Sequence, residues 1–550
     1  MRGRWKLSIL LLLATAASAA AAPKFFPDDP IWADDDRLDT PEQPAELELS
    51  DIYDRFSHIF YDFGSRQYGE AENVNTLDEV PDSSWYTNRH AKRRMSLEEL
   101  VRGPDSPGGA PDREGVWTVF RSKTQGLTPG FQIEDRKGDR YVIKFNAPEN
   151  PEINSSSEVI ATKLFYALGY NVPENYLAFI DPSKLEIKPG TKIKDLYGDE
   201  ELLTQDQLRW LIRKAQREPD GTIRVTASKY IDGVPLGPHR YFETRSDDPN
   251  DVIPHENRRE LRGLRVFSSW VNHDDTRAQN SQDAWVEEDG KHYVRHYLLD
   301  LGSCFGSGSI GFQLPWLSYH YWMDLELIKK NAKSFGLHTP TYHKVEWPHY
   351  PEYKTAGRFE AESYRPHEWR NDYRNPAFVR MTDRDAFWAA KIMMALEPDE
   401  LRALVRTGLI SDPEEEQYFY AVLLERQRKT AEFYFNRVNP LDQFRVGGAG
   451  LEFTHLSEKY GFPSGAPTYR IGWSLFDNRD GTYRELTEPQ QQKERVVAIP
   501  ARPRGSGPEL FLVAEIHTLE PDHPAWNQRI GVTLRPGSGG YEIVGIERGP

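Results

Sequence analysis

The sequence predicts an α+β protein in which a strand-rich stretch, a helix-rich stretch and a second strand-rich stretch succeed one another along 550 residues. Three observations carry that prediction. Between Gly115 and Ile180, runs of β-branched and aromatic residues bounded by turn signals surround a single helical pattern. From Met323 onward apolar residues recur at helical spacing, clearest in DRDAFWAAKIMMAL, PDELRALVRTG and EEEQYFYAVLLERQRKTAEFYFNRV. After Val446-Gly447-Gly448, strand-like runs punctuated by Gly, Pro, Asn and Asp return, as in TYRIGWSLFDNRDGTYREL and ELFLVAEIHTL.

Residues 1–22 are expected to be a signal peptide. Arg2, Arg4 and Lys6 precede the apolar run LSILLLLATAASA, and small residues continue through Ala22. The run falls short of the roughly 20 apolar residues that cross a bilayer, so a secreted or periplasmic chain with no transmembrane anchor after cleavage is expected. Cys304 is the single cysteine, which rules out a disulfide within the chain. The formal net charge is −16. Loss of the three leader cations makes it −19, a balance that repels nucleic acid and anionic surfaces.

Residues 23–110 form an acidic, Pro-rich arm. Its DDPIWADDDRLDTPEQP lacks the loop glycine and terminal Glu of an EF-hand, so a solvated, partly disordered segment is expected. The following DEVPDSSWYTNRHAKRR groups Asp82, Trp85, Asn88 and Arg89 in a loop. Such a loop either lines a site or packs the arm against a domain, with packing the commoner use of an aromatic.

Residues 111–232 hold the strands GVWTVFRSK and FQIEDRKGDRYVIKFN, the latter folded at Lys137-Gly138. Ser155 to Ser157 offer N-caps to a helix in EVIATKLFYAL. That helix has an apolar face of Ile160, Leu164 and Leu168 and a stop at Gly169. NVPENYLAFI reads as a strand, LTQDQLRWLIRKA as a helix and TIRVTASKYIDG as a strand. Residues 233–445 open with a helix marked by Leu261, Leu264, Phe267 and Val271, which runs into WVNHDDTRAQN. AWVEEDGKHYVRHYLL reads as a hairpin, and helices follow. Residues 446–550 are expected to form a small β-sandwich-like domain.

WVNHDDTRAQN and LLDLG carry the chemistry. Asp275 precedes Asn280 by five positions, and Asp300 and Gly302 follow the hairpin. Phosphoryl transfer from a magnesium nucleotide requires one carboxylate for the attacking hydroxyl, and an amide and second carboxylate for the metal.

With the strand lysine Lys144 of YVIKF and the helical Glu158, these positions resemble a bilobal protein-kinase-like fold, with a β-rich N-lobe and helical C-lobe. HDDTRAQN is similar to H-R-D-x-x-x-x-N at His273, Asp275 and Asn280, and D-L-G stands where D-F-G would. No G-x-G-x-x-G phosphate loop precedes Lys144. SKTQGLTPG, with Lys123, Gly126 and Gly130, looks like the looser loop of phosphatidylinositol 3- and 4-kinases, HipA-type kinases and CotH-type kinases. SEVIATKLFYALGYNVPENY shares that likeness, which spans about residues 115–305. No A-P-E follows Gly302.

The resemblance implies ATP and Mg²⁺ as cofactors. Asp275 would orient the hydroxyl and Arg277 would touch the transferring group. Asn280 and Asp300 would hold metal. Lys144, fixed by Glu158, and the Gly126 and Gly130 loop would hold phosphates. Asp274 is a rival base. The expected activity is transfer to a hydroxyl of a protein, lipid or glycan. The alternative is a non-catalytic envelope protein, a pseudokinase that uses this fold and its β domain to bind a protein or glycan.

His338, His343 and His349 fit no metal-binding helix face, and no G-x-S-x-G is present. Asn154 begins a glycosylation sequon at a helix start, where a glycan would interfere. Cys304 is expected to be a small buried residue.

Overall fold

The computed structural model describes residues 23–549, apart from 60, 62–67, 123–129, 195–199, 214, 309–310 and 346–352. The leader, Lys123, Gly126 and His349 therefore lie outside the described residues. The chain is mixed α/β. It begins with α1 (Asp51–Ile59) and α2 (Leu97–Arg102), followed by β1 (Trp117–Ser122), β2 (Gly130–Glu134), β3 (Arg140–Phe145), α3 (Ile153–Leu168), β4 (Asn175–Ile180) and β5 (Leu185–Ile187). A small hairpin of β6 (Lys192–Lys194) and β7 (Glu200–Leu202), then α4 (Gln205–Arg213) and β8 (Ile223–Lys229), complete this part.

Six of these strands make one sheet in the order β4-β8-β3-β2-β1-β5, antiparallel except between β1 and β5. Its alternation is as the sequence predicts: Phe131, Ile133, Tyr141 and Ile143 are fully buried, while Gln132, Glu134, Arg140 and Val142 on the opposite face are more exposed. Gly138 takes the positive φ that the Lys137-Gly138 turn requires.

α3 differs from its expected start. It begins at Ile153, with Glu152 rather than a serine as N-cap. Ser155 and Ser156 lie inside the helix, where Arg224 donates to both hydroxyls at 3.0 and 2.8 Å. Those tertiary hydrogen bonds use the side-chain oxygens that capping would need. Gly169 does end the helix, at φ 115°.

The middle of the chain comprises β9 (Val234–Pro235), α5 (Arg259–Val271), and the hairpin β10 (Ser281–Glu288) and β11 (Lys291–Leu298). Next come the short pair β12 (Ser307–Gly308) and β13 (Gly311–Phe312), then α6 (Leu325–Lys333), α7 (Pro376–Val379), α8 (Asp383–Met393), α9 (Pro398–Arg406) and α10 (Pro413–Phe435). The helical expectation from Met323 holds for α8 to α10, whereas the described residues between α6 and α7 are mostly irregular. α5 and α8 cross at Gly263, where a Cβ would stand 2.8 Å from the Trp388 ring. Trp270 on α5 donates to the Leu423 carbonyl of α10 at 2.8 Å. Each large apolar side chain buried there contributes about 1.5–3 kcal/mol.

The last part holds β14 (Leu441–Gly447), β15 (Gly450–His455), α11 (Leu456–Lys459), β16 (Thr468–Asp477), β17 (Thr482–Gln492), β18 (Val496–Val497), β19 (Leu510–Leu519), β20 (Ile530–Gly537) and β21 (Gly540–Arg548). These form sheets β14-β15-β18 and β17-β16-β19-β20-β21 around a shared core that includes Leu441, Phe453, Leu512 and Val532. Strand structure therefore starts at Leu441, five residues before the expected boundary.

The arm is not a solvated tail. Phe25 is buried against Phe476 and Phe511, and its amide donates to Asn478. Asp36 is buried and accepts from the amide and hydroxyl of Ser84. α1 carries the arm to the HDDTRAQN loop. Trp85 resolves to packing: it stacks on His296 at 3.5 Å, with His239 and His255 at its edges. Among the described residues no helix is long and apolar enough to cross a membrane.

Candidate active site

Lys144 lies on β3 directly opposite Gly130 of β2. Its ammonium donates to Glu158 Oε1 at 2.7 Å, Glu158 Oε2 at 2.9 Å and Asp300 Oδ1 at 2.8 Å. Lys144 and Glu158 are buried, whereas the Asp300 side chain is 42% exposed. Burial disfavours the ammonium, but Asp300 and Glu158 outweigh it and raise the Lys144 pKa above the ordinary lysine range. Lys144 is therefore a fixed cation.

The HDDTRAQN loop follows from how α5 ends. Asn272 takes a left-handed conformation (φ 58°, ψ 41°) and stops the helix. Its amide donates to Gln313 Oε1 at 2.7 Å, and its Oδ1 accepts from the Trp369 indole at 3.2 Å. His273 is buried against Ser303 Oγ at 3.0 Å, and burial lowers its pKa to about 4, leaving it neutral. Asn280 Nδ2 donates to the Asp275 carbonyl at 2.7 Å, which fixes the loop's curvature and turns the amide oxygen to other use.

Hairpin register brings Asp300 to this loop. Ser281 pairs with Leu298, and the Leu299 amide donates to the Asn280 carbonyl at 2.9 Å. The reversal at Asp289-Gly290 has φ of 54° and 74°, the positive pair that a tight hairpin needs. Asp300 itself has φ 53° and ψ 54°, uncommon for a residue with a Cβ. Gly302 is sterically required. A Cβ there would stand 2.6 Å from Asn154 Nδ2 and 3.3 Å from Glu158 Oε2. Asn154 is buried on α3 at this contact, so the sequon is inaccessible to a glycan.

The structure thus gathers Lys144, Glu158, Asp275, Arg277, Asn280, Asp300 and Gly130. Arg277 Nε lies 2.8 Å from Asp275 Oδ1. Burial, opposed by Arg277 and reinforced by Asp300, raises the Asp275 pKa to about 6. Its neighbour Asp274 is more deeply buried, and burial with Asp275 and Asp372 pushes its carboxyl well above the usual range. Asp274 is the poorer base of the two because its deeper burial disfavours the carboxylate form. Cys304 is fully buried, and burial raises its thiol pKa.

Sequence reasoning missed the contribution of the arm. Asp51 on α1 pairs with Arg277 Nη1 at 3.0 Å, and Asp54 accepts from the Tyr373 hydroxyl at 2.5 Å. Arg55 pairs with Asp372 at 2.5 Å. Asp51 and Arg277 are 226 positions apart, and no local pattern signals such a contact.

A second group has the spacing of a metal site, though not among the histidines considered from sequence. Ligand atoms of His239, Asp283 and His296 lie within 4.8 Å of one another. The Asp283 carboxylate is already matched: His296 Nδ1 lies 2.7 Å away, His239 Nδ1 3.2 Å and Arg245 Nη1 3.1 Å. Despite the cost of burial, these partners hold its carboxyl far below the usual range. The cluster ties β10 and β11 to His239 and Arg245.

No protein-family model matches the chain, and no curated protein matches it. Among solved structures it is similar to the Helicobacter pylori proinflammatory kinase CtkA at 10% identity, covering 59% of this chain and 99% of that one, with a TM-score of 0.31. The Golgi casein kinase matches at 12% identity over 74% and 94% of the two chains, TM-score 0.29. The Golgi casein kinase with Mn/ADP bound matches at 11% identity over the same shares, TM-score 0.27. TM-scores this low do not establish a shared fold, and the functional reading rests on the side chains.

Proposed function

We propose that the chain is an exported, atypical kinase-like phosphotransferase of bilobal plan that moves a phosphoryl group from Mg-ATP to a hydroxyl of a protein, lipid or glycan. One observation carries the reading: Lys144 is held between Glu158 and Asp300, and hairpin register sets Asp300 beside Asn280 and Asp275.

The residues suit the cofactor. Three carboxylates (Glu158, Asp275 and Asp300) contact two cations, Lys144 and Arg277, an excess of negative charge that a divalent ion offsets. Asn280, with its nitrogen engaged, and Asp300 offer the hard oxygen atoms that magnesium takes. Bound Mg-ATP would supply the transferable group and neutralise its charge. Lys144 contributes a permanent positive charge against phosphate. Asp275, ionised above pH 6, accepts the hydroxyl proton at its carboxylate. Arg277 keeps that carboxylate oriented and presents positive charge beside it.

The test is transfer from γ-labelled Mg-ATP to the protein itself or to water. Asp275→Asn should abolish transfer and retain nucleotide binding, whereas Asp300→Ala should lose both. Retention of both by Asp300→Ala would refute the assignment. A second reading, a non-catalytic binding protein, is favoured by α1, whose Asp51 sits on Arg277 at the loop. It predicts no transfer by the wild type.

A further inference from the structure

A cavity of about 580 Å³ lies between the 82–95 loop, α2 and the C-terminal end of α3. Its size is within the 300–1,000 Å³ range of small-molecule sites. Tyr166 on α3 lines it, eight residues beyond Glu158 and so about 12 Å along the helix axis. The cavity is distinct from the cleft around Lys144.

Arg89, Lys92, Arg93 and Arg102 face this space. Two carboxylates line it, and both are committed. Asp82 accepts from the amide and side chain of Asn88 at 2.7 and 2.9 Å. Glu99 closes the capping box of α2 by accepting from the Ser96 amide at 2.7 Å, with Arg93 and Arg102 acting on it only at longer range.

None of the four cations forms an ion pair among the described residues. Arg89 donates only to neutral acceptors, the carbonyls of Tyr166 and Tyr170 at 3.0 and 2.9 Å and Asn171 Oδ1 at 3.4 Å. The Lys92 ammonium lies over the Trp32 ring. The buried arginines of α5 behave differently: Arg259 and Arg262 both meet Asp385. Four cations against two committed carboxylates leave two positive charges uncompensated, in a protein whose overall charge is −16.

We propose that this cavity binds a small phosphorylated dianion, a phosphate monoester or a diphosphate, between Arg93, Arg102, Lys92 and Arg89. Guanidinium groups suit the task because their paired N–H donors match phosphate oxygens. The strongly acidic chain favours a soluble ligand over a lipid headgroup.

Inorganic pyrophosphate titrated calorimetrically in EDTA tests the proposal, because the acidic cleft does not attract an anion without metal. Wild type and Asp300→Ala should bind alike, and the double variant Arg93→Gln/Arg102→Gln should bind at least tenfold more weakly. Both arginines are exposed, so the double variant should keep its circular dichroism spectrum and melting temperature. A parallel flotation with phosphatidic-acid vesicles separates the sources. Vesicle capture without pyrophosphate binding, lost in the double variant, assigns the phosphate to a lipid. Failure of both probes overturns the proposal, as does equal binding by the double variant or loss of binding in Asp300→Ala alone.

Discussion

Two buried charge clusters in this molecule differ in balance, and the difference separates scaffold from site. At the α5 N-terminus, Arg259 meets Asp78 at 2.7 Å and Asp385 at 3.0 Å, while Arg262, Arg384 and Arg548 reach the same two carboxylates. Against the cost of burial, Arg259, Arg384 and Arg548 hold the Asp78 carboxyl far below the usual range. Around the HDDTRAQN loop the sign reverses, and Asp275 and Asp274 are pushed up. Burial and strong perturbation occur in both clusters. An acidic excess left by the protein itself occurs in the second, where a metal nucleotide would complete it.

The comparison can be broken by substitution. The largest expected effect is Asp275→Asn, which should lower phosphotransfer about 10²–10⁴-fold, the usual range for a general base. The same change should not lower the melting temperature at pH 7.5, because it removes a charge that burial penalises. Arg259→Met should do the reverse. It removes one partner from each of two buried carboxylates, which keep Arg384, Arg548 and Arg262, so it costs about 1.5–3 kcal/mol in urea unfolding and leaves Mg-ATP affinity unchanged while the protein is folded. Gly302→Ala should be intermediate, destabilising by about 1–3 kcal/mol as Asn154 and Glu158 shift, with weaker Mg-ATP binding in calorimetry.

Titration sharpens the contrast. With Asp275 at about 6, kcat/KM should rise tenfold per pH unit below 6 and level above it. The raised folded-state value means that Asp275 stabilises the fold below pH 4 and that this contribution disappears as pH rises through 6. The melting-temperature gain of Asp275→Asn should therefore grow between pH 4 and 7. Asp251 has the opposite sign. Burial works against its charge, but His255 outweighs it and lowers the value to about 2, so its stabilisation is present above pH 4 and lost towards pH 2. The smallest effect belongs to Asp51→Asn. Its pairs with Arg55 and Arg277 are partly exposed, and thermal unfolding should register about 1 kcal/mol or less.

Much of the site's local structure is legible in sequence, because its determinants are local. YVIKF alternates as a strand, so Lys144 can be placed; Asp289-Gly290 fixes the hairpin that returns Asp300 to Asn280. Interactions distant in sequence remained hidden. Phe25 meets Asn478 across 453 positions and Asp36 meets Ser84 across 48, so an acidic, Pro-rich composition concealed a packed arm. The serines of α3 read as caps because nothing nearby announces Arg224. The described residues between α6 and α7 are mostly irregular, where the reading from Met323 onward expected helix.

The most direct measurement is calorimetric titration of the wild type and Asp300→Ala with ATP, with and without Mg²⁺. A cluster left acidic for a metal nucleotide predicts that Mg²⁺ adds an ATP-binding step to the wild type and that this Mg²⁺-dependent step is at least tenfold weaker in Asp300→Ala. Equal binding by the two proteins, or no binding by the wild type under any condition, would contradict the account.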